Sequence, residues 1–301
     1  MDTILVITEK PLVAQAIAKV LGAYDRQEGY IQGGGYIISW CYGHLAEYAQ
    51  PDAYDERYAK WRFDDLPIVP AHWRLSLSKG KENQFDLLKG LLLKNGVEYV
   101  VNACDAGREG ELIFWNVYEM AGACLPVKRL WISSLEEAAI RDGFASLKDA
   151  SCYKGIREAA ICRARADWLV GINMTRALSA KYNARLLAGR VQSPTLAMLV
   201  NRKNEIDGFE KEAYFKVCLK GSGIKAVSRD IGYEEEADEI ATKCSSEAAV
   251  ITKVEKRQNR ENPPKLYDLT ALQRDANRLY GYTAKQTLDL LQELYEDGMV
   301  T

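Results

Sequence analysis

The chain has 301 residues, 48% of them hydrophobic and 27% charged, with a formal net charge of −2. That length and composition suit a soluble globular protein of more than one domain. The near-neutral balance excludes a uniformly basic surface, so any nucleic-acid-binding face must be local. The seven cysteines (Cys41, Cys104, Cys124, Cys152, Cys162, Cys218, Cys244) are scattered, odd in number and without a Cys-x-x-Cys pair. This speaks for a reducing cytoplasm and against a zinc ribbon or disulfide framework. No leader pattern precedes the first strand. No apolar run approaches the ~20 residues needed to span a membrane.

Thr3 to Thr8 (TILVIT) is an apolar, β-branched run of buried-strand type. Glu9 and Lys10 follow at its tip, and Pro11 suits the first turn of a helix. Val13, Ala16, Ile17 and Val20 give that helix its apolar stripe, and Gly22 stands where it would end. Tyr30 to Trp40 reads as a hairpin around Gly33-Gly34-Gly35. A phosphate cradle is disfavoured there, because no helix and no Lys-Ser/Thr pair follow. His44 comes next; a lone histidine is ordinarily a packed or surface residue. Pro51 to Trp73 has no clean period and reads as an irregular connection packed by aromatics. Trp61 and Trp73 could stack bases, although isolated aromatics ordinarily belong to the core.

Glu82 to Lys94 is a helix with Phe85, Leu88, Leu91 and Leu92 as its stripe. Val97 to Val101 is a buried strand, followed by a sharp turn through Asp105-Ala106-Gly107. A helix with Ile113, Phe114, Val117 and Met120 on one face comes after it. Val127 to Ile132 is a further strand, and Ser134-Leu135-Glu136-Glu137 reads as a capping box opening a helix. Alternating strands and helices predict an α/β unit with a doubly wound parallel sheet, spanning residues 1–150.

From Ser151 to Ile206 the chain turns helical and basic. Lys154, Arg157, Arg163, Arg165, Arg176, Lys181, Arg185, Arg190, Arg202 and Lys203 face only Glu158, Asp167 and Glu205 as acids. A charge run is ordinarily a solvated face, but basic, hydroxyl and amide side chains are also what position a phosphate backbone. Tyr214 to Leu219 and Val250 to Lys256 read as strands around an acidic helix, Glu234 to Cys244. Asn259 to Lys265 is a proline-containing linker. Leu269 to Leu279 and Thr283 to Tyr295 are amphipathic helices around Gly281, a helix-turn-helix outline.

The chemistry concentrates at strand tips. In open α/β sheets ligands collect at the carboxyl ends of strands, and carboxylates there can hold a hard divalent cation through oxygen. Taken alone, Glu109 and Glu111 are ordinary first-turn acids facing a helix dipole, and Asp105 is a turn residue. A second acidic tip, at Glu9, favours a site.

VITEKPLVAQAIAKVLG, NACDAGREGELI, GRVQSPTLAMLVNR and PPKLYDLTALQRDAN occur in that order. Together they resemble type IA DNA topoisomerases, in the topoisomerase III branch, across essentially the whole chain. The resemblance implies a Toprim-type parallel sheet with helices on both faces. A basic helical DNA-binding domain over 151–210 follows, then the start of a β-rich arch domain over 211–262. Residues 263–301 would begin the helix-turn-helix-like, tyrosine-bearing domain. It implies Mg²⁺ held by Asp105, Glu109 and Glu9, with Glu9 exchanging a proton with the departing 3′-oxygen. Lys10 and Arg108 would stabilise phosphate charge, and His44 would support them. Arg163, Asp167, Arg190, Gln192 and Ser193 are the expected single-stranded-DNA-binding set.

One departure stands out: Gly107 occupies the middle position of a pattern that is often Asp-x-Asp-x-Glu. None of the seventeen tyrosines has a Tyr-Pro-Arg setting, so the chain is expected to be an N-terminal fragment that stops before the nucleophile. The expected parent is a cytoplasmic monomer that makes an ATP-independent single-strand break through a 5′-phosphotyrosine. The alternatives are another Toprim enzyme, a primase or nuclease, and a non-catalytic DNA-binding fragment.

Overall fold

The computed structural model describes residues 3–221, 223–248, 250–297, 299 and 300. They fall into two compact units, Met1–Ser193 with Tyr267–Thr301, and Pro194–Leu266. The first opens with β1 (Thr3–Thr8), α1 (Pro11–Leu21), β2 (Asp25–Gln27), β3 (Tyr30–Gly33), β4 (Tyr36–Trp40) and β5 (Ala46–Tyr48). It continues with β6 (Leu75–Leu77), α2 (Glu82–Leu92), β7 (Val97–Ala103), α3 (Arg108–Ala121), β8 (Val127–Arg129), α4 (Glu137–Ala145), β9 (Lys148–Asp149) and the long α5 (Lys154–Tyr182). The helix α6 (Gln192–Asp207) carries the chain into the second unit.

The main sheet runs β2-β3-β4-β1-β7-β8-β9. Its centre is parallel, β4 with β1, β1 with β7 and β7 with β8. Its edges are antiparallel, through the β2–β3–β4 meander and the β8–β9 pair. The expected parallel sheet is therefore mixed, because a short hairpin connection can only return antiparallel. The hairpin falls where expected. Gly34 explains its glycines: it has φ +59, and a Cβ there would stand 2.7 Å from the Leu21 carbonyl oxygen.

Alternating residues feed two cores. Leu5, Ile7 and Val100 face one, with Phe85, Leu88, Ile113, Phe114 and Val117 of α2 and α3. Val6, Ile38 and Val101 face the other, with Val13, Ala14 and Ile17 of α1 and Ile140 of α4. Each fully buried side chain contributes roughly 1.5–3 kcal/mol. This two-sided burial holds the strand tips, and hence Glu9 and Asp105, in fixed register.

Two details of the α/β unit differ from expectation. The strand from Val127 ends at Arg129, where its pairing with β9 ends. The capping box does not form: α4 begins at Glu137, and Ser134 Oγ instead accepts from the Glu136 backbone N–H at 3.2 Å. The hydroxyl closes a local turn before the helix, the competition that serine offers the backbone.

Residues 51–73 are irregular, with three single 3₁₀ turns, and strap onto α5. Asn173 accepts from Ile68 N–H at 2.6 Å and donates back to its carbonyl at 2.9 Å. Trp73 packs edge-on against Tyr48 and Trp168, with the Arg165 guanidinium 5.2 Å from its ring centre.

In the second unit, β10 (Cys218–Gly221) and β11 (Ile224–Val227) form a hairpin, and α7 (Glu234–Ser246) is the expected acidic helix. The expected strand at Tyr214–Leu219 is thus shifted, with only Phe215 bridging Ile231 before it. Val250–Lys256 is not a strand. Its alternation has no neighbouring strand to complete a ladder among the described residues, and an isolated strand is not stable. Back in the first unit, α8 (Leu269–Tyr280) and α9 (Ala284–Glu296) form the helix pair around Gly281. Thr283 and Gln286 form a reciprocal capping box at the start of α9. Among the described residues no helix is long and apolar enough to cross a membrane.

Candidate active site

Two neighbouring parallel strands, β1 and β7, deliver the acids. β1 ends at Thr8, fully buried, whose hydroxyl donates to the Lys10 carbonyl at 2.9 Å. The Glu9 carbonyl accepts from Gly43 N–H at 3.2 Å. The Glu9 side chain is only 14% exposed, and Lys10 Nζ lies 3.9 Å from Glu9 Oε1 and 3.8 Å from Asp105 Oδ2. One ammonium thus stands between two carboxylates. Burial first, then the charge of Asp105, raises the Glu9 pKa; Lys10 opposes this, and Glu109 adds to it.

The turn after β7 is held from beneath by Arg129, 2% exposed. Its Nε donates to Glu111 Oε1 at 2.6 Å. Its terminal nitrogens donate to the carbonyls of Asn102 (3.0 Å), Cys104 (2.6 Å), Leu130 (2.6 Å) and Asp105 (2.7 Å). Glu111 is completed by Asn102 Nδ2 at 3.2 Å and Trp115 Nε1 at 3.0 Å. Glu111 is therefore a buried structural partner and not an ordinary first-turn acid. Cys104 is buried as well; burial, then Cys41, pushes its thiol well above its usual pKa, so it is no nucleophile.

Two glycines in the turn differ in kind. A Cβ on Gly110 would lie 2.1 Å from the Asp105 carbonyl oxygen, so only glycine lets α3 start this close. Gly107 is extended, with φ 176, and a Cβ there would meet nothing within 4 Å. Its lack of a carboxylate is a matter of sequence and not of space.

Glu109, in the first turn of α3, lies beside His44, with Nε2 to Oε2 3.6 Å. A cavity of about 370 Å³ opens beside it, lined by His44, Arg108, Glu109, Arg163 and Asp167 among others. Asp167 on α5 is 3.8 Å from Arg163 Nε and takes a 2.5 Å bond from Arg190 Nε. The Arg190 bond comes first in lowering the Asp167 pKa. Ser193 Oγ accepts from Gly189 N–H at 3.2 Å, folding the Gly189–Ser193 turn back on itself.

The Arg108 side chain makes no hydrogen bond or ion pair with another described residue. The structure thus gathers Glu9, Lys10, Asp105, Glu109, His44 and Arg108 at the strand tips, and Arg163, Asp167 and Arg190 across one cavity. Gln192 opens α6 and is exposed. The basic run is not one face. Arg165 packs on Tyr48 and Trp73, and Arg176 is 6% exposed. Arg202 and Lys203 pair within α6.

Comparison with known proteins follows this division. A Toprim domain model matches residues 4–135, and a DNA topoisomerase model matches residues 151–301. The chain belongs to the type IA DNA topoisomerase family. It is 41% identical to DNA topoisomerase 3 of Bacillus cereus (strain ATCC 14579) over 308 aligned residues, covering 100% of this chain and 42% of that protein. It is 45% identical to DNA topoisomerase 3 of Shouchella clausii (strain KSM-K16), covering 97% of this chain and 41% of that protein. The chain therefore spans about two fifths of the length of these topoisomerase relatives. In fold it is similar to full-length topoisomerase I from Thermotoga maritima, with TM-score 0.69 and 23% identity over 98% of this chain and 48% of that one. The topoisomerase match beyond the Toprim region sets aside a primase or nuclease that shares only the acids.

Sequence reasoning missed three contributors. Arg129 had no motif around it, and Gly110 carried no sign of the clearance it provides. Tyr295 of α9 was left as a helix residue; burial, then the Asp105 charge, raises its pKa, which places it near the acids but leaves its phenol unactivated.

Two outcomes test this geometry. Arg129→Met should lower stability by about 3–5 kcal/mol in urea unfolding, since it strands the Glu111 carboxylate in the core. Glu9→Gln should raise Tm at pH 7–8 in metal-free buffer, because a carboxyl with a raised folded pKa weakens the fold once pH exceeds that pKa. The gain should vanish below the ordinary carboxyl value, where both forms are uncharged.

Proposed function

We propose that the protein this chain builds breaks and rejoins one strand of DNA in the type IA manner, without ATP. The observation that carries the reading is the pairing of Glu9 and Asp105 across one lysine at neighbouring parallel strand tips. A half-buried carboxyl whose pKa is raised, by burial first and then by Asp105, is suited to exchange a proton with a departing 3′-oxygen. Lys10 and the unpartnered Arg108 are suited to phosphate oxygens, where charge-assisted bonds are strongest.

Among the described residues, no three His, Cys, Asp or Glu side chains are gathered tightly enough to hold a metal on their own. Mg²⁺ does not require such a cage: it keeps several waters and uses one or two carboxylates with substrate phosphates. The hard oxygen donors at the strand tips fit that role, with the Asp105 and Glu109 charges acting on Glu9 against the one cation Lys10. Asp105 and Glu109, with Glu9, would hold the ion, which would position and screen the phosphates.

Arg163, Asp167, Arg190, Gln192 and Ser193 would hold the strand beside the cavity, with His44 supporting Glu109. The domain plan stays as the sequence implied, an acid-bearing unit over 1–150, the basic helical region, the arch and the helix pair. The nucleophilic tyrosine is assigned to no position of this chain, and the setting proposed is a cytoplasmic monomer.

Fluorescence anisotropy with a labelled single-stranded oligonucleotide tests the reading. Binding should fall linearly in log–log form with salt, and Arg163→Ala should reduce the slope by about one. Incubation with Mg²⁺ followed by denaturation should give no protein-linked DNA. A linked band would assign the nucleophile to a tyrosine within this chain, and salt-insensitive binding would remove the proposed strand face. Calorimetry offers a separate check on the metal: Gly107→Asp should tighten Mg²⁺ binding, since the added carboxylate fits without strain and charge count helps set affinity.

A further inference from the structure

The residues between β4 and β5 form neither helix nor strand, yet they are tied down at several points. Cys41 N–H donates to the Thr8 carbonyl at 2.9 Å, and Gly43 N–H to the Glu9 carbonyl at 3.2 Å. Leu45 is fully buried, and its carbonyl accepts from Ser78 N–H at 2.8 Å. Two consecutive residues in this loop, Tyr42 at φ 50 and Gly43 at φ 72, have left-handed backbone. Glycine adopts that form freely; a tyrosine adopts it at a cost. Among the described residues, the other non-glycine residue with positive φ is Asn183, at the cap of α5, and asparagine tolerates the form.

The Tyr42 ring does not account for this backbone. It is 51% exposed and meets Trp40 edge-on, with ring centres 6.1 Å apart. The loop is held instead by Lys81, the N-cap residue of α2. Its partly buried ammonium donates to the Tyr42 carbonyl at 2.9 Å and to the His44 carbonyl at 2.8 Å. Lys81 has no ion pair with a described acid, so two carbonyl oxygens are its side-chain partners. Hydrogen bonds from a charged donor are stronger than neutral ones. Here two of them fix the peptide groups on either side of Gly43. A left-handed tyrosine persists only where its surroundings over-determine it, and such residues cluster at working sites.

The loop meets the acids twice. Gly43 N–H reaches the Glu9 backbone, and His44 Nε2 stands 3.6 Å from Glu109 Oε2. Lys81 makes no hydrogen bond or ion pair with either acid, so any influence it has on them passes through the loop. We propose that Lys81 is a positioning residue for the strand-breaking reaction: its ammonium holds the Tyr42 and His44 carbonyls, and so keeps the loop against Glu9 and His44 beside Glu109. The inference rests on the strand-breaking reading above and extends it to a residue outside the acidic site.

Charge and position predict opposite results for removal of the ammonium. On charge alone, Lys81→Met takes a cation away from the carboxylates, and Mg²⁺ should bind more tightly. Loss of position should instead weaken Mg²⁺ binding about tenfold, the lower end for groups that orient metal ligands without touching the metal. The test is Mg²⁺ calorimetry on the 301-residue chain and on Lys81→Met, Lys81→Arg and Glu109→Gln. Lys81→Arg, whose forked guanidinium keeps the charge and supplies donors for both carbonyls, should restore most of the affinity. Deuterium exchange at the Gly43 amide, followed by NMR, reads the loop itself. It should quicken about tenfold in Lys81→Met and return toward wild type in Lys81→Arg. A tie that merely anchored α2 would lower Tm and leave both readouts unmoved.

Melting curves check folding. Should Lys81→Met not fold, Lys81→Gln takes its place, because its shorter amide cannot reach both carbonyls. Unchanged or tighter Mg²⁺ binding in the folded Lys81 variant, with Glu109→Gln weakened, overturns the role of Lys81 and leaves the strand-breaking reading intact. Absence of Mg²⁺ binding by the wild-type chain overturns both.

Discussion

The site depends on one buried ion pair. Arg129 and Glu111 are almost wholly removed from water, and an unpaired charge in that position would cost several kcal/mol. Their pairing alone would not justify the location, since a well-packed apolar pair can do as well. What the guanidinium adds is four carbonyl contacts, from Asn102, Cys104, Asp105 and Leu130. Three of them, from Cys104, Asp105 and Leu130, lie past the ends of β7 and β8, where the sheet ladder no longer supplies donors. The arginine takes over that role and so fixes the direction in which the Asp105 side chain leaves the sheet. Gly110 completes the arrangement by letting the first turn of α3 come down onto the same turn.

Above this platform the electrostatics are deliberately unbalanced. Glu9, Asp105 and Glu109 supply three negative charges, and Lys10 is the cation shared between two of them. Glu109 lies beside His44, 3.6 Å away, and its charge adds to that of Asp105 on Glu9. Burial first, and then this repulsion, raises the pKa of Glu9, the least exposed of the three. A site left in that condition attracts cations and disfavours the ionised form of its least exposed carboxyl.

Much of this was legible in the sequence, and the exceptions have physical causes. TILVIT and VEYVV announced strands because both of their faces are buried, and Pro11, Gly22 and Gly281 marked helix ends through backbone preferences that act locally. Glu9 and Asp105 could be found because strand tips follow directly from strand positions. Arg129 could not: its partners lie up to 27 residues away in the chain and meet it only after β7 and β8 pair. The capping box at Ser134 failed for the same reason in reverse, since a local pattern yielded to where α4 could pack. Val250–Lys256 had strand composition but, among the described residues, no neighbour to pair with. Within the basic run, sequence cannot show that the Arg165 and Arg176 guanidiniums lie on aromatic rings.

The mixed sheet bears on how the molecule behaves when many copies are crowded together. An open sheet edge is a template for another chain's strand. Here the parallel strands that build the site are the central ones, and the borders are β2, three exposed residues long, and β9, two residues long. On β2 the Asp25 carboxylate is engaged by Gln27 and Gln32, at 2.7 and 2.6 Å, and Arg26 puts a charge on the rim. Such short, polar borders give an incoming strand little to pair with. The hairpin that interrupted the parallel pattern thus serves as protection against aggregation, keeping neighbouring copies separate without any further shielding of that border.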